Sequence, residues 1–235
     1  MKISERKLLL ELQSSSAPRF FTTEQFHEFV KNIVGVEGSD RSIDRWLEAL
    51  SASRILKKVR RGLFLNGFST PKVKLAEVAH QIRSGAVVDL MTVLGECGAL
   101  NNVPTMVTCI VPLSINLPTP SIGIVETEIG RIRFFGMSTY AFHAGALEDR
   151  EALTAYKRST PEAALLHWIY LSNNPRSRLT PPPLDIDLSL LDKRALSRLA
   201  RAKGITAQYD AWKERILDYQ SSIDVEANSS VILGF

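Results

Sequence analysis

The apolar positions in the first third of the chain predict three helices followed by two strands. In three segments apolar residues recur every three or four positions, which is the spacing of one helical face. Two shorter apolar stretches follow, separated by an arginine pair. The predicted elements are helices at Ile3–Leu12, Glu24–Ile33 and Ser39–Leu50, a turn at Gly35–Gly38, and strands at Ile55–Val59 and Gly62–Leu65. Helix, helix, turn, helix and hairpin is the order of a winged helix-turn-helix.

Polar residues at the helix starts support this prediction. One of the two threonines before Glu24 can cap the second helix, and Glu24 or Gln25 can complete a capping box. Ser39 or Asp40 can cap the third helix. The predicted buried face of the third helix carries Ile43, Trp46, Leu47 and Leu50. Its opposite face is polar, so the third helix offers one side to a core and the other to a partner.

The remaining two thirds of the chain alternate between short apolar strands and helices, separated by glycines and prolines. Helices are predicted at Val73–Arg83, Leu90–Glu96, Thr160–Asn173, Leu188–Lys203 and Thr206–Gln220, and strands at Ala86–Val88, Met106–Leu113, Ser121–Glu126, Ile129–Phe135 and Thr139–Phe142. Asp89 is expected to cap one helix, and Thr160 with Pro161 to open another. Thr180–Pro183 predicts a stiff polyproline spacer, and the tail from Ser221 is expected to be loosely ordered.

These patterns predict an α/β (α+β) fold with a winged helix-turn-helix at its N-terminus and a larger mixed domain whose C-terminus is helical. The predicted boundaries are residues 1–68 for the winged helix-turn-helix, 72–178 for the mixed α/β domain, 184–220 for the C-terminal helical part and 221–235 for the tail. A chain of 235 residues is long enough for this division.

Charge is distributed unevenly along the chain. Residues 1–74 contain 14 Lys and Arg against 8 Asp and Glu, a net charge of +6. Residues 75–235 contain 15 against 17, a net charge of −2. A basic module joined to a less basic one indicates a nucleic-acid binder attached to a domain with another partner.

The cations concentrate on the predicted hairpin and on the helix before it. Five lie within eight residues, with no acid among them: Arg54, Lys57, Lys58, Arg60 and Arg61. Arg41 and Arg45 are four residues apart and therefore share one helical face, from which they can reach base edges or phosphates. Asp44 and Glu48 lie in the same region and could instead pair with these two arginines. The hairpin therefore carries the less ambiguous prediction of phosphate contacts.

A second basic stripe lies near the C-terminus. Arg194, Arg198 and Arg201 recur at intervals of four and three residues, which places them on one face of a predicted helix. The stripe can be an ordinary solvated face, or it can contact DNA, RNA or an acidic partner.

Residues for catalysis or metal binding are sparse. The four histidines (His27, His80, His143 and His167) are scattered, without the spacing of metal ligands. Cys97 and Cys109 are expected to fill apolar space. No phosphate-binding glycine loop is present. The sequence therefore predicts no enzyme, no cofactor and no metal.

No apolar run in the sequence approaches the ~20 residues that a membrane-spanning helix needs. The N-terminal segment has charges within its apolar stretch, which is not the pattern of a signal peptide. A cytoplasmic location and no membrane partner are therefore expected, and the two cysteines fit a reducing compartment.

Four short motifs, in this order, resemble the AbiEi antitoxins of type IV toxin–antitoxin systems. They are Arg61-Gly62-Leu63-Phe64, Ser84-Gly85-Ala86-Val87-Val88, Gly98-Ala99-Leu100 and Thr160-Pro161-Glu162-Ala163-Ala164-Leu165-Leu166. The resemblance covers roughly residues 3–219. The chain departs from the family pattern at Thr92-Val93-Leu94, Cys97-Gly98, Ala163 and His167.

The resemblance implies a two-part antitoxin. Its N-terminal winged helix would bind inverted repeats of double-stranded DNA in its own promoter and repress transcription. Its C-terminal part would counteract a nucleotidyltransferase-like toxin without forming a stable complex. The positions that match the family's winged helix are Arg41, Ser42 and Arg45 on the recognition helix, and Lys57, Lys58, Arg60 and Arg61 on the wing.

Two other functions remain open on the sequence. One is a winged-helix transcription factor that responds to a small ligand, which a concave apolar pocket with convergent polar groups would favour. The other is a DNA-processing enzyme that uses the winged helix for targeting, which a cluster of acidic or histidine residues with raised pKa values would favour.

Overall fold

The chain forms a mixed α and β structure, which confirms the predicted α+β class. The computed structural model describes residues 3–34, 39–83, 85–102, 104–114, 122–143, 147–149 and 156–232. The predicted turn at Gly35–Gly38 and the predicted strand start at Ser121 lie outside these residues. The structure divides into two units, residues 1–78 with 126–131 and residues 79–125 with 132–235. The domain boundaries given above stay predictions.

The first unit contains helices packed on a small antiparallel sheet. Its elements are α1 (Ile3–Gln13), β1 (Phe20–Thr22), α2 (Thr23–Val34), α3 (Asp40–Ala52), β2 (Leu56–Arg60) and β3 (Leu63–Asn66). The strand order is β1-β3-β2, and both pairings are antiparallel. The sequence predicted the three helices and the hairpin but not β1, because a three-residue strand carries almost no periodicity.

The helices of the first unit enclose one apolar core. Phe21, Phe26 and Ile43 are almost fully buried, and Trp46, which was predicted to be buried, is half-buried at the edge of this core. The predicted capping box at α2 is present. Gln25 N donates to Thr22 Oγ1 at 3.2 Å, and Thr22 N donates to Gln25 Oε1 at 2.9 Å.

The second unit is built around a mixed sheet. The elements that follow β3 are α4 (Leu75–Ile82), β4 (Val87–Val88), α5 (Met91–Glu96), β5 (Val107–Leu113), β6 (Gly123–Thr127), β7 (Gly130–Ser138), α6 (Thr139–His143), β8 (Leu147–Asp149), β9 (Lys157–Ser159), α7 (Pro161–Ser172), α8 (Lys193–Ala202) and α9 (Thr206–Ile232). The strand order is β6-β7-β5-β4-β9-β8. Strand β4 pairs parallel to β9 and antiparallel to β5, while β5 and β7 are parallel.

Three predicted elements of the second unit were wrong. Thr139–Phe142 forms the helix α6 rather than a strand, and Ser138 Oγ accepts a hydrogen bond from Ala141 N at its start. The helix predicted from Leu188 begins only at Lys193, because Asp192 caps it by accepting from Arg194 N and Ala195 N. Helix α9 continues through the predicted loose tail to Ile232.

Within the described residues, no helix is both long and apolar enough to cross a membrane.

Candidate functional site

A bulge in strand β2 places most of the hairpin cations on the outside of the first unit. Leu56 and Val59 are both buried although they lie three residues apart, whereas a regular strand would turn them to opposite faces. The register of the β2–β3 pairing shifts between Lys58 and Arg60, because β2 has one residue more than β3 over this stretch. Both Lys58 and Arg60 are therefore exposed, and Lys57 is half-buried.

The turn of the hairpin carries the remaining arginine. Arg61 is exposed and is followed by Gly62, whose φ of +76° confirms the predicted left-handed turn position. We refer to β2, the turn and β3 as the basic hairpin. Arg54 lies just before it and is exposed, with a φ of +58° that residues with side chains seldom adopt.

Helix α3 presents Arg41, Ser42 and Arg45 on its exposed side, opposite the buried Ile43 and Leu47. The helix begins after Ser39, as predicted, but the Ser39 side chain makes no capping bond to the backbone. It lies instead 3.3 Å from Ser42 Oγ. Arg41 and Arg45 are therefore presented by a helix whose other side is held in the core.

Two of the three acidic residues of α3, Asp40 and Asp44, contact α2 rather than the arginines. Asp44 Oδ1 lies 2.8 Å from His27 Nε2, and Asp40 Oδ1 lies 2.9 Å from Lys31 Nζ. The hydrogen bond from Lys31, together with its charge, lowers the pKa of Asp40. Among the described residues, neither Asp44 nor Glu48 forms an ion pair with Arg41 or Arg45, so the alternative in which these acids neutralise the two arginines is not what the structure shows.

Seven predicted DNA-contacting cations carry unneutralised charge in the first unit. No ion pair joins any of them to a carboxylate within the described ranges. They are Arg41, Arg45, Arg54, Lys57, Lys58, Arg60 and Arg61. Solvated, unpaired cations on adjoining elements form a surface suited to a polyanion.

The second basic stripe is also exposed. Arg194, Arg198 and Arg201 lie on the side of α8 opposite the buried Leu196 and Leu199. None of these arginines forms an ion pair with another described residue. The exposure of these arginines is compatible with both interpretations of the sequence, namely a solvated face or a contact with an anionic partner.

A buried polar cluster in the second unit was missed by the sequence analysis. Asp89, Ser159 and His167 are fully buried, and Lys203 is 5 % exposed. His167 Nδ1 lies 2.8 Å from Asp89 Oδ2, to which Ser159 Oγ also donates a hydrogen bond. Lys203 Nζ lies 2.8 Å from His167 Nε2. We call these four residues the buried cluster.

The partners of the buried cluster fix where its protons lie. The ammonium of Lys203 has only donors, so it donates to His167 Nε2 and to the carbonyl oxygens of Ala141 and Phe142, at 2.9 and 3.3 Å. His167 Nδ1–H must then donate to the Asp89 carboxylate, which makes the imidazole neutral. Burial lowers the pKa of Lys203 to about 8, against the opposing effect of the Asp89 charge.

The buried cluster connects several elements of the second unit and offers no nucleophile. Ser159 Oγ donates to Asp89 rather than to His167, and the second nitrogen of His167 is occupied by Lys203. A Ser–His–Asp hydrolase needs the serine on that second nitrogen. The cluster instead joins the end of β4 to β9, α7 and the end of α8. Asp89 was expected to cap α5. Of the amides at the start of that helix, its Oδ1 accepts a hydrogen bond only from the adjacent Leu90 N.

The other residues that could bind a metal ion do not lie close together in the described ranges. No group of three or more His, Cys, Asp or Glu residues in the described ranges could hold a metal ion. Cys109 is buried, and burial raises the pKa of its thiol, with a contribution from the Asp89 charge. Cys97 is half-buried, and the side chain of His143 lies outside the described residues.

Fold and site together describe an α+β protein with an exposed cationic surface on its first unit. No family model matches the chain, and no curated protein matches it significantly. Among solved structures it is similar to the crystal structure of the RV2827C protein from Mycobacterium tuberculosis, with a TM-score of 0.51 and 16% sequence identity. The match covers 90% of this chain and 81% of that one. At this identity the likeness concerns the fold alone.

Proposed function

We propose that this protein is a DNA-binding antitoxin whose first unit is a winged helix-turn-helix that represses its own promoter. In this proposal α3 is the recognition helix and the basic hairpin is the wing. The order of elements and the antiparallel β1-β3-β2 sheet support it. Promoter occlusion by the two elements would repress transcription, and the cytoplasm is the expected location.

The observation that carries the proposal is that the cations on α3 and on the basic hairpin are unpaired and, apart from the half-buried Lys57, exposed. Arginines near the start of a recognition helix are the ones that reach base edges. Cations at the tip of a wing contact phosphates and release counterions. Because Asp40 and Asp44 are engaged with α2, they do not neutralise Arg41 and Arg45.

The antitoxin part of the proposal depends on the motif resemblance to the AbiEi family. It assigns the second unit to counteracting a nucleotidyltransferase-like toxin, without a stable complex. Co-expression with such a toxin from a neighbouring gene tests this part, with bacterial growth as the readout. Growth arrest that persists in the presence of the intact chain would remove the antitoxin role and leave DNA binding unaffected.

Salt-dependent DNA binding tests the first part. We expect the intact protein to bind a duplex from the region upstream of its gene, containing an inverted repeat, more tightly than a scrambled duplex. About five phosphate contacts predict a slope of about −4 to −5 in log affinity against log salt concentration. The double variant Arg60→Ala/Arg61→Ala is expected to reduce the magnitude of this slope by up to ~2.

The matched control is Arg176→Ala/Lys213→Ala, which removes two exposed cations from the second unit. It lowers the net charge of the protein by the same amount and is expected to leave the slope nearly unchanged. Equal slopes for the unmodified protein and the hairpin variant would exclude the basic hairpin from the DNA interface.

A further inference from the structure

A cleft in the second unit has the size and walls of a small-molecule site. It lies beside the loop that precedes β5 and has a volume of about 350 Å³, within the range of ligand pockets. Met91, Met106 and Trp168 contribute apolar walls, and Asn101, Arg133 and Asp185 contribute polar groups. Trp168 Nε1 donates to Thr180 O at 2.7 Å, so the position of the indole is fixed by the protein itself.

The orientation of Arg133 is held without neutralising its charge. Its guanidinium lies 4.6 Å from the centre of the Phe135 ring, and its Nη2 donates to Arg178 O at 3.4 Å. Among the described residues no carboxylate pairs with it. A half-buried, planar and unpaired guanidinium next to an apolar cavity favours a planar anion, since it can donate two parallel hydrogen bonds to a carboxylate.

A second charged residue in the cleft, Asp185, limits how much negative charge a bound anion can carry. Asp185 also lines the cleft, where its Oδ2 accepts from Asn101 Nδ2 at 3.2 Å. A carboxylate near the bound anion would repel a multiply charged group such as phosphate more strongly than a singly charged one. Methionine sulfurs and an indole favour an aromatic body for the rest of the ligand.

We propose that this cleft binds small aromatic carboxylates, with the carboxylate on Arg133 and the ring against Met91, Met106 and Trp168. The ligand class covers both simple arylalkanoates and aromatic amino acids, whose ammonium group would lie towards Asp185. The site is independent of DNA binding by the first unit, so either proposal can fail without the other.

Methionine methyl signals provide a direct test on the full chain. The sequence has four methionines, two of which line the cleft, while Met137 is buried elsewhere. In protein labelled at the methionine methyl carbon, 3-phenylpropionate is expected to shift the Met91 and Met106 signals saturably and to leave Met137 unchanged. L-Phenylalanine distinguishes the two ligand sources, because the extra ammonium strengthens binding only if the site accepts amino acids.

Two further probes share the phenyl body and lack the carboxylate. Phenethylamine and 3-phenylpropan-1-ol are expected to shift the same signals at least tenfold more weakly, and inorganic phosphate is expected to leave them unchanged. No saturable shift with 3-phenylpropionate, or an equal response to phenethylamine or phosphate, would overturn the proposal.

Two variants test the charge of Arg133 and the open space of the cleft separately. Arg133→Gln is expected to weaken 3-phenylpropionate binding about tenfold or more, because a charge-assisted bidentate pair is lost. Arg131→Gln, at an exposed arginine of the same strand, is the matched control. Thr105→Trp places a bulky side chain at the exposed rim and is expected to abolish the shifts. Unchanged affinity in both Arg133→Gln and Thr105→Trp would contradict the site.

Discussion

His27 Nε2 lies 2.8 Å from Asp44 Oδ1, and this contact joins α2 to α3. His27 Nδ1 lies 3.5 Å from Asp40 Oδ1, which also binds Lys31. Both acids in the first half of α3 therefore face α2. In the proposed DNA complex this arrangement orients α3 and keeps the acids away from Arg41 and Arg45. Their negative charge nevertheless remains near the DNA-facing surface.

Asp44→Asn is expected to increase affinity for promoter DNA about two- to fivefold, a typical size for one exposed charge. The asparagine oxygen can still accept a hydrogen bond from His27, while the negative charge that repels phosphates is gone. Fluorescence anisotropy at one fixed salt concentration measures this change. Glu11→Gln on the exposed side of α1 is the control and should change affinity less. Weaker binding by Asp44→Asn would mean that the charge of Asp44 is needed to orient α3.

The elements that the sequence predicted well are those whose signals are local. The capping box of Thr22 and Gln25 starts α2, and Thr160 with Pro161 starts α7, where Thr160 Oγ1 accepts from Ala163 N at 3.3 Å. Such signals lie within four residues of each other, so spacing alone reveals them. The cations of the basic hairpin were found in the same way.

The buried cluster could not be predicted, because its members are distant in sequence. Asp89 and His167 are 78 residues apart, and His167 and Lys203 are 36 apart. Each residue taken alone has an ordinary explanation: a helix cap, a packed histidine and a solvated lysine. They come together only because α7 contacts both the end of β4, through His167 and Asp89, and the end of α8, through His167 and Lys203. The cleft around Arg133 was likewise invisible, since its walls come from several separate segments.

Lys203 predicts an unusual dependence of stability on pH. Its pKa is about 8 in the folded protein and 10.5 as an ordinary lysine, so between these values the unfolded chain binds more protons. The free energy of unfolding should therefore rise as pH increases through this window, with a slope of at most ~1.4 kcal/mol per pH unit from this group. Well below pH 8 the lysine is protonated in both states, and its contribution is constant.

Urea unfolding at pH 7.5, 9 and 10 measures this slope. The variant Lys203→Met is expected to lose the rise, because no ammonium is buried on folding. Lys213→Met, at an exposed lysine of α9, should keep it. The same slope in the unmodified protein and in Lys203→Met would show that Lys203 does not titrate in this range.

Asp89→Asn is expected to destabilise the second unit by about 3 to 5 kcal/mol, the usual cost of leaving a buried charge uncompensated, because Asp89 and Lys203 are linked through His167. The variant leaves the buried Lys203 ammonium without a counter-charge and changes the acceptor for Ser159 and His167. Chemical unfolding measures the loss, with the exposed Asp185→Asn as a control that should stay within about 0.5 kcal/mol. Combining Asp89→Asn with Lys203→Met should cost less than the sum of the two single changes. Strict additivity would show that the two charges do not interact.

Gly67 provides a steric test of how the basic hairpin is held in the first unit. A Cβ at this position would lie 2.8 Å from the carbonyl oxygen of Ile55 and 3.2 Å from that of Arg54. Gly67 N also donates to Ile55 O at 2.8 Å, so the backbone approaches closely here. Because both obstacles are backbone atoms, Gly67→Ala should destabilise the first unit by about 1 to 3 kcal/mol.

The same substitution should weaken promoter binding, since the strain falls on the segment that joins α3 to the basic hairpin. Thermal unfolding measures the stability and anisotropy measures the affinity. Lys72→Ala, an exposed change five residues further on, is expected to alter stability by no more than about 0.5 kcal/mol. If Gly67→Ala is as stable as the unmodified protein, the close approach of the two backbone segments is not maintained in solution.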